Sequence, residues 1–223
     1  MSLTERAPAK INLGLHVLRK RPDGYHDVET VLHRIDWADT VTVAPAETLS
    51  MTCSDPALPT DETNLCMRAA LALKEAFDVA TGAALHLDKQ VPYGAGLGGG
   101  SSDAAATLRL LSRLWDLPLP DPASVLGLGA DVPACLHPGL LRMRGIGQDL
   151  TRLGDLPSLP LLLVNPGVAL STPAVFDGLE TKTTPPVDDA MPAPTETEAW
   201  VGWLVRQRND LAAPAIAAQP VIG

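Results

Sequence analysis

The sequence predicts an α+β fold, and three observations carry the prediction. Polar and apolar residues alternate at 9–18 and again at 39–45, as in half-buried strands. Residues 61–77 carry apolar side chains at helical spacing. A glycine run, Gly94–Gly100, leads directly into a second helical segment. The strands return on themselves instead of alternating strictly with helices, which argues against a doubly wound parallel sheet.

The elements follow in order. Ala9–Leu18 reads as a strand, and Pro22, Asp23 and Gly24 as a turn. Residues 28–35 and 39–45 are further strand, and 61–77 a helix capped by Thr63 or Asn64. Leu65, Ala69, Ala72 and Ala76 form its stripe. A strand over 83–92 delivers the chain to the glycines, and a helix from about Ser102 to Trp115 follows. Pro160–Gly167 predicts a buried strand opening a second region. Thr181–Glu198, rich in Pro and Thr, is a loop, and Ala199–Arg208 a short helix.

Composition narrows the function. Of 223 residues 46% are hydrophobic, enough for a packed core. The net charge of −9, from 26 acidic and 17 basic residues, argues against a broad nucleic-acid surface, which needs a continuous basic patch. It is compatible with a small phosphorylated ligand, because a few amides and one lysine make a positive pocket locally. Cys53, Cys66 and Cys135 lack CxxC spacing and read as apolar fillers in a reducing compartment, not as a zinc site. No secretory signal and no apolar run of membrane-spanning length stands out, so a cytoplasmic location is expected.

The glycine run is the strongest chemical signal. A helix N-terminus offers unpaired amide N–H groups and a positive dipole end, and glycine lets backbone approach an anion closely. "PYGAGLGGGSSDAA" therefore predicts a phosphate cradle, with a flexible turn as the plain alternative. A dinucleotide fingerprint would need GxGxxG after the first strand, and a Walker A loop a lysine after the glycines; neither context is present. A serine hydrolase using Ser101 or Ser102 with His137 lacks the GxSxG elbow. Phosphoryl transfer also needs charge and a group to receive the hydroxyl proton. Lys10, among apolar neighbours, and Asp131, the one charge in "GLGADVPACL", are the candidates. A snorkelling surface lysine and a helix cap or turn residue are the alternatives.

Taken with "APAKINLGLHVLRKRPDGYHDVETVL", "LGADVPACL" and "NPGVALSTPAVF", the glycine segment resembles the GHMP kinases from about Ala7 to Gly223. The resemblance implies two domains. Residues 1–150 would form a nucleotide- and substrate-binding domain of the ribosomal-protein-S5-domain-2 type, and 151–223 a partial ferredoxin-like domain. It implies ATP and Mg2+ as cofactors, with no metal-ligating residue assigned. A cytidine-diphosphate-linked polyol of isoprenoid biosynthesis would be the small-molecule substrate. Lys10 and Asp131 would be catalytic. Lys89, Gly94, Gly96, Gly98, Gly99, Gly100, Ser101 and Ser102 would hold ATP. Asn12, Tyr25, His26, Thr172 and Phe176 would bind substrate, with the base between Tyr25 and Phe176 and a His26 ring nitrogen on its edge. Another GHMP small-molecule kinase and a non-catalytic nucleotide-binding remnant are the competing readings. No nucleic acid or membrane partner is expected, and the state is monomer or homodimer. Relatives carry a third Gly- and Ser-rich motif beyond the point matching Gly223, so the resemblance implies a fragment of a longer product. Leu136–Gly147 is bulkier than in relatives and reads as a strand regardless.

Overall fold

A computed structural model describes residues 1–168, 170–179, 184–187, 191–193 and 195–223. They gather into two compact units. The first holds Met1–Lys10, Arg34–Tyr93 and Leu97–His137, and the second Ile11–His33, Gly94–Gly96 and Pro138–Gly223. The expected boundary at residue 150 divides consecutive sequence. These units interleave instead, because the strands β1 (Leu3–Lys20) and β2 (His26–Ala46) each contribute residues to both.

In the first unit β1 pairs β2, and β4 (Gly82–Asp88) runs antiparallel to β2 from Thr40↔Asp88 to Ala46↔Gly82. The short strand β3 (Ser50–Cys53) lies parallel to β4. Period-two alternation sends Val41, Val43, Leu85 and Leu87 into the core, where they meet the helices α1 (Leu65–Ala76) and α2 (Gly99–Leu114). Ala69, Ala70, Ala104, Ala105 and Ala106 are all buried, and these small side chains let the two helices pack closely. Asn64, not Thr63, caps α1, its Oδ1 accepting the Cys66 N–H at 2.9 Å. The second helix starts three residues earlier than its apolar spacing predicts. Gly98 takes the left-handed conformation (φ 65°) at the N-cap, and Gly99 and Gly100 enter the first turn. A 3₁₀ segment, Pro122–Leu128, and the four-residue helix α3 (Val132–Cys135) complete this unit.

In the second unit β5 (Leu140–Gly145) pairs antiparallel with β2 over Val28↔Gly145 to Leu32↔Leu141, and with β6 (Asp149–Gly154). Strand character thus survives at the bulky 140–143 segment. Trp200 and Trp203, from α5 (Thr197–Val205), meet edge to face with centroids 5.4 Å apart and are buried with Val31, Leu140 and Val187. The helices α4 (Thr172–Asp177) and α6 (Ala212–Ala218) belong here as well. The buried strand expected at Pro160–Gly167 is not formed. Leu162 and Val164 are 86% and 84% exposed, and none of the described strands gives the segment a ladder to join. Much of the expected loop over 181–198 lies outside the described residues.

Candidate active site

The first unit brings the two proposed catalytic residues together. Lys10 Nζ lies 3.1 Å from Asp131 Oδ2, although 120 positions separate them in the chain. The lysine is buried; the aspartate side chain keeps 29% of its surface open. Asp131 sits at the start of α3 but makes no capping bond. Its carboxylate is directed by Lys10 and not spent on the helix, which removes the cap alternative. The snorkelling alternative falls with the burial of Lys10.

Glycine at 98 is what allows that lysine its path. A Cβ there would stand 2.7 Å from Lys10 Cγ and 2.8 Å from Cε, and the positive φ disfavours any other residue independently. The backbone of Lys10 also donates to Leu97 O at 2.8 Å, stitching the loop to β1. Gly99, Gly100 and Ser101 then open α2, where first-turn N–H groups point out of the helix without an internal acceptor. Ser101 Oγ lies beside Gly129, two residues before Asp131. Ser102 is placed differently from the sequence expectation. It is buried, and its hydroxyl donates to Pro8 O at 2.7 Å, anchoring α2 on β1. That bond takes it out of a phosphate seat and out of the hydrolase reading.

Lys89 also lies away from an open nucleotide surface. Its ammonium is buried against two carboxylates, Asp39 and Asp103, the latter at 3.1 Å. Asp39 Oδ1 accepts the N–H groups of Gln90 (2.6 Å) and Val91 (2.8 Å). Burial pushes the Asp103 carboxyl up to about 7; the Lys89 charge opposes that shift and the Asp39 charge adds to it. Asp39 and Asp103 were not legible as a pair. The available signal was the strand register: continuing Thr40↔Asp88 by one step sets Asp39 opposite Lys89. Burial likewise pushes the Cys66 and Cys135 thiols up to about 12, so both act as apolar fillers.

The second unit holds the proposed substrate residues and two glycines proposed for ATP. Gly94 and Gly96 have φ of 71° and 74° with open space where a side chain would stand. Tyr25 is exposed on the turn after β1, which closes through Arg21 N–H to Tyr25 O at 2.8 Å. Asn12 is half-buried on β1, and Thr172 exposed at the first position of α4. Phe176 stacks on His26 at 5.1 Å between centroids and 27° between planes. Burial, with the Lys20 charge second, lowers the His26 pKa, so the ring is neutral near pH 7 and offers one donor and one acceptor nitrogen.

Residues 64–139 match the GHMP kinases N terminal domain family. The chain is 59% identical over 186 residues to the 4-diphosphocytidyl-2-C-methyl-D-erythritol kinase of Salinibacter ruber, covering 79% of this chain and 66% of that protein. It is 48% identical to the Cereibacter sphaeroides enzyme of the same name, covering 97% and 77%. A crystal structure of 4-(cytidine 5'-diphospho)-2C-methyl-D-erythritol kinase superposes with TM-score 0.79 at 34% identity, over 98% of this chain and 79% of that one. The chain belongs to the 4-diphosphocytidyl-2-C-methyl-D-erythritol kinase family. It spans about two thirds to four fifths of the length of these relatives. Within this family's fold, the segment shared with the wider GHMP domain carries the glycine run from Gly94 onward and Asp131, whereas Lys10, Tyr25, His26 and Phe176 come from outside it.

Proposed function

We propose that this chain is an ATP-dependent kinase acting on the 2-hydroxyl of 4-diphosphocytidyl-2-C-methyl-D-erythritol, with magnesium ATP as the phosphoryl donor. The observation that carries the proposal is the Lys10–Asp131 pair in the same unit as the N-terminus of α2. In the reaction the alcohol oxygen forms a bond to the γ-phosphorus while the bond from that phosphorus to the β,γ-bridging oxygen breaks, releasing ADP. Asp131 receives the alcohol proton, and Lys10 aims the carboxylate. The first-turn amides of α2 and the Ser101 hydroxyl hold phosphate oxygens. Tyr25, His26 and Phe176 take the cytosine, with Asn12 and Thr172 lining the same ligand. The magnesium ion is read as part of the nucleotide substrate, bridging its phosphate oxygens.

A cytoplasmic location fits the free cysteines, and no described helix is long and apolar enough to cross a membrane. The test is ADP production from magnesium ATP with and without the cytidine-linked alcohol. Substrate-dependent turnover is expected; a folded chain that binds both ligands without turnover would overturn the catalytic reading. Tighter binding of cytidine diphosphate than of mevalonate is expected and separates this kinase from other small-alcohol kinases of the fold.

A further inference from the structure

The most densely charged buried site in the first unit is outside the proposed chemistry. Asp39, on β2, is fully buried and uses both oxygens. One accepts from Gln90 and Val91, the residues leading out of β4 toward the glycine run. The other meets Lys89 Nζ, which reaches on to Asp103 in the first turns of α2. The two ends of the loop, 89–91 and 103, are therefore tied to one point on the sheet. The middle stays close as well: a Cβ on Gly99 would stand 3.1 Å from Lys89 Nζ and 3.5 Å from Asp39 Oδ2, so the loop runs directly over the cluster.

A cluster with two carboxylates and one ammonium is a poor device for stability alone. Burying charge is costly, and one lysine cannot balance two ionised carboxylates. Asp103 Oδ1 is buried with no hydrogen-bond partner, so the cost is visible in the geometry. What the arrangement supplies is direction, since charge-assisted bonds fix the loop's two ends in register with each other.

We infer that Asp39, Lys89 and Asp103 form a buried clamp that sets the shape of the phosphate-binding loop, which makes Asp39 a positioning residue for ATP. This rests on the reading of the glycine run as the ATP seat. A strand–loop–helix junction held at both ends presents its amides already oriented, and a loop released at one end must be ordered by the ligand instead.

The test is calorimetric titration of the full chain with AMP-PNP, with cytidine diphosphate as the internal control and thermal melts to establish folding. Asp39→Ala is expected to weaken AMP-PNP about tenfold or more while cytidine diphosphate affinity stays within about twofold. Asp39→Asn keeps an acceptor for the Gln90 and Val91 N–H groups and is expected to recover most of that loss. A purely structural role would lower the melting temperature and leave both affinities unchanged in the folded protein, which overturns the clamp. If Asp39→Ala does not fold, Asp103→Asn decides, because it removes the second carboxyl group of the cluster and keeps the Lys89–Asp39 pair. Its AMP-PNP affinity should fall about threefold with cytidine diphosphate unchanged, and an unchanged AMP-PNP affinity overturns the clamp. Failure of the parent chain to bind AMP-PNP would instead remove the phosphate-seat reading, and the clamp with it.

Discussion

Two lysines of the first unit are buried against aspartate, and they differ in what the aspartates are free to do. Lys10 pairs with Asp131, whose carboxylate remains partly open to solvent. Lys89 meets Asp39 and Asp103, both enclosed and both tied to loop ends. A carboxylate with a directing partner and an open side can accept a proton from a substrate. A carboxylate enclosed with its partner can only hold backbone in place. Solvent access to the carboxylate, not the mere presence of a buried ion pair, separates the proposed chemical pair from the proposed positioning one.

The largest test of that contrast is Asp131→Asn, which keeps an acceptor for Lys10 and removes the base. Turnover should fall about 10²–10⁴-fold with nucleotide affinity little changed. A loss under tenfold in a folded protein would mean that the open carboxylate only orients the hydroxyl. Gly98→Ala sharpens the same side of the comparison without touching either charged group. The added methyl collides with the Lys10 stem in a left-handed backbone position, and displacing the lysine should lower kcat/KM by about 10–100-fold. An unchanged kcat/KM would show that the lysine's path is not restrictive.

Asp103→Asn tests the enclosed side through stability. Burial raises this carboxyl from 3.8 in the unfolded chain to about 7, so the folded protein binds its proton more tightly. The resulting stabilisation is fully present below about pH 4 and is lost as pH rises through 7. Asparagine removes that loss. The stability gap in favour of Asp103→Asn should therefore widen from pH 5 to pH 8, by an amount on the order of a few kcal/mol, as read by thermal or urea melts. A gap independent of pH would place the proton elsewhere in the cluster. The smallest effect belongs to the second unit. Phe176→Ala should raise KM for the cytidine-linked substrate about tenfold and leave kcat and ATP affinity nearly unchanged. Equal effects on both substrates would move Phe176 from recognition to packing.

Most of the local structure was legible because it depends on neighbours in the chain. The alternation at 39–45 and the apolar stripe of α1 appear where period and capping chemistry put them, and a helix does follow the glycines. The misses come where distant partners decide. The apolar run at 160–167 has strand composition, yet a strand exists only where another backbone offers its ladder. The helix α2 starts at Gly99, three residues before its apolar stripe, and the residue before it, Gly98, has φ 65° with the stem of Lys10, remote in sequence, directly against it.

The candidate site divides in the same way. Residue type and local context picked out Lys10, Asp131 and the glycine run, whereas Tyr25, His26 and Phe176 were marked out by the resemblance to the GHMP kinases. The sequence by itself determined an α+β chain of strands and alanine-rich helices, with a glycine run opening a helix. Only tertiary structure decided that Asp131 faces Lys10, that Ser102 anchors a helix, that Phe176 stacks on His26, and that Lys89 is enclosed by two aspartates. The reason is physical: helical period, turn chemistry and capping act over a few residues, whereas ion pairing and burial depend on which distant strands and helices the fold sets side by side.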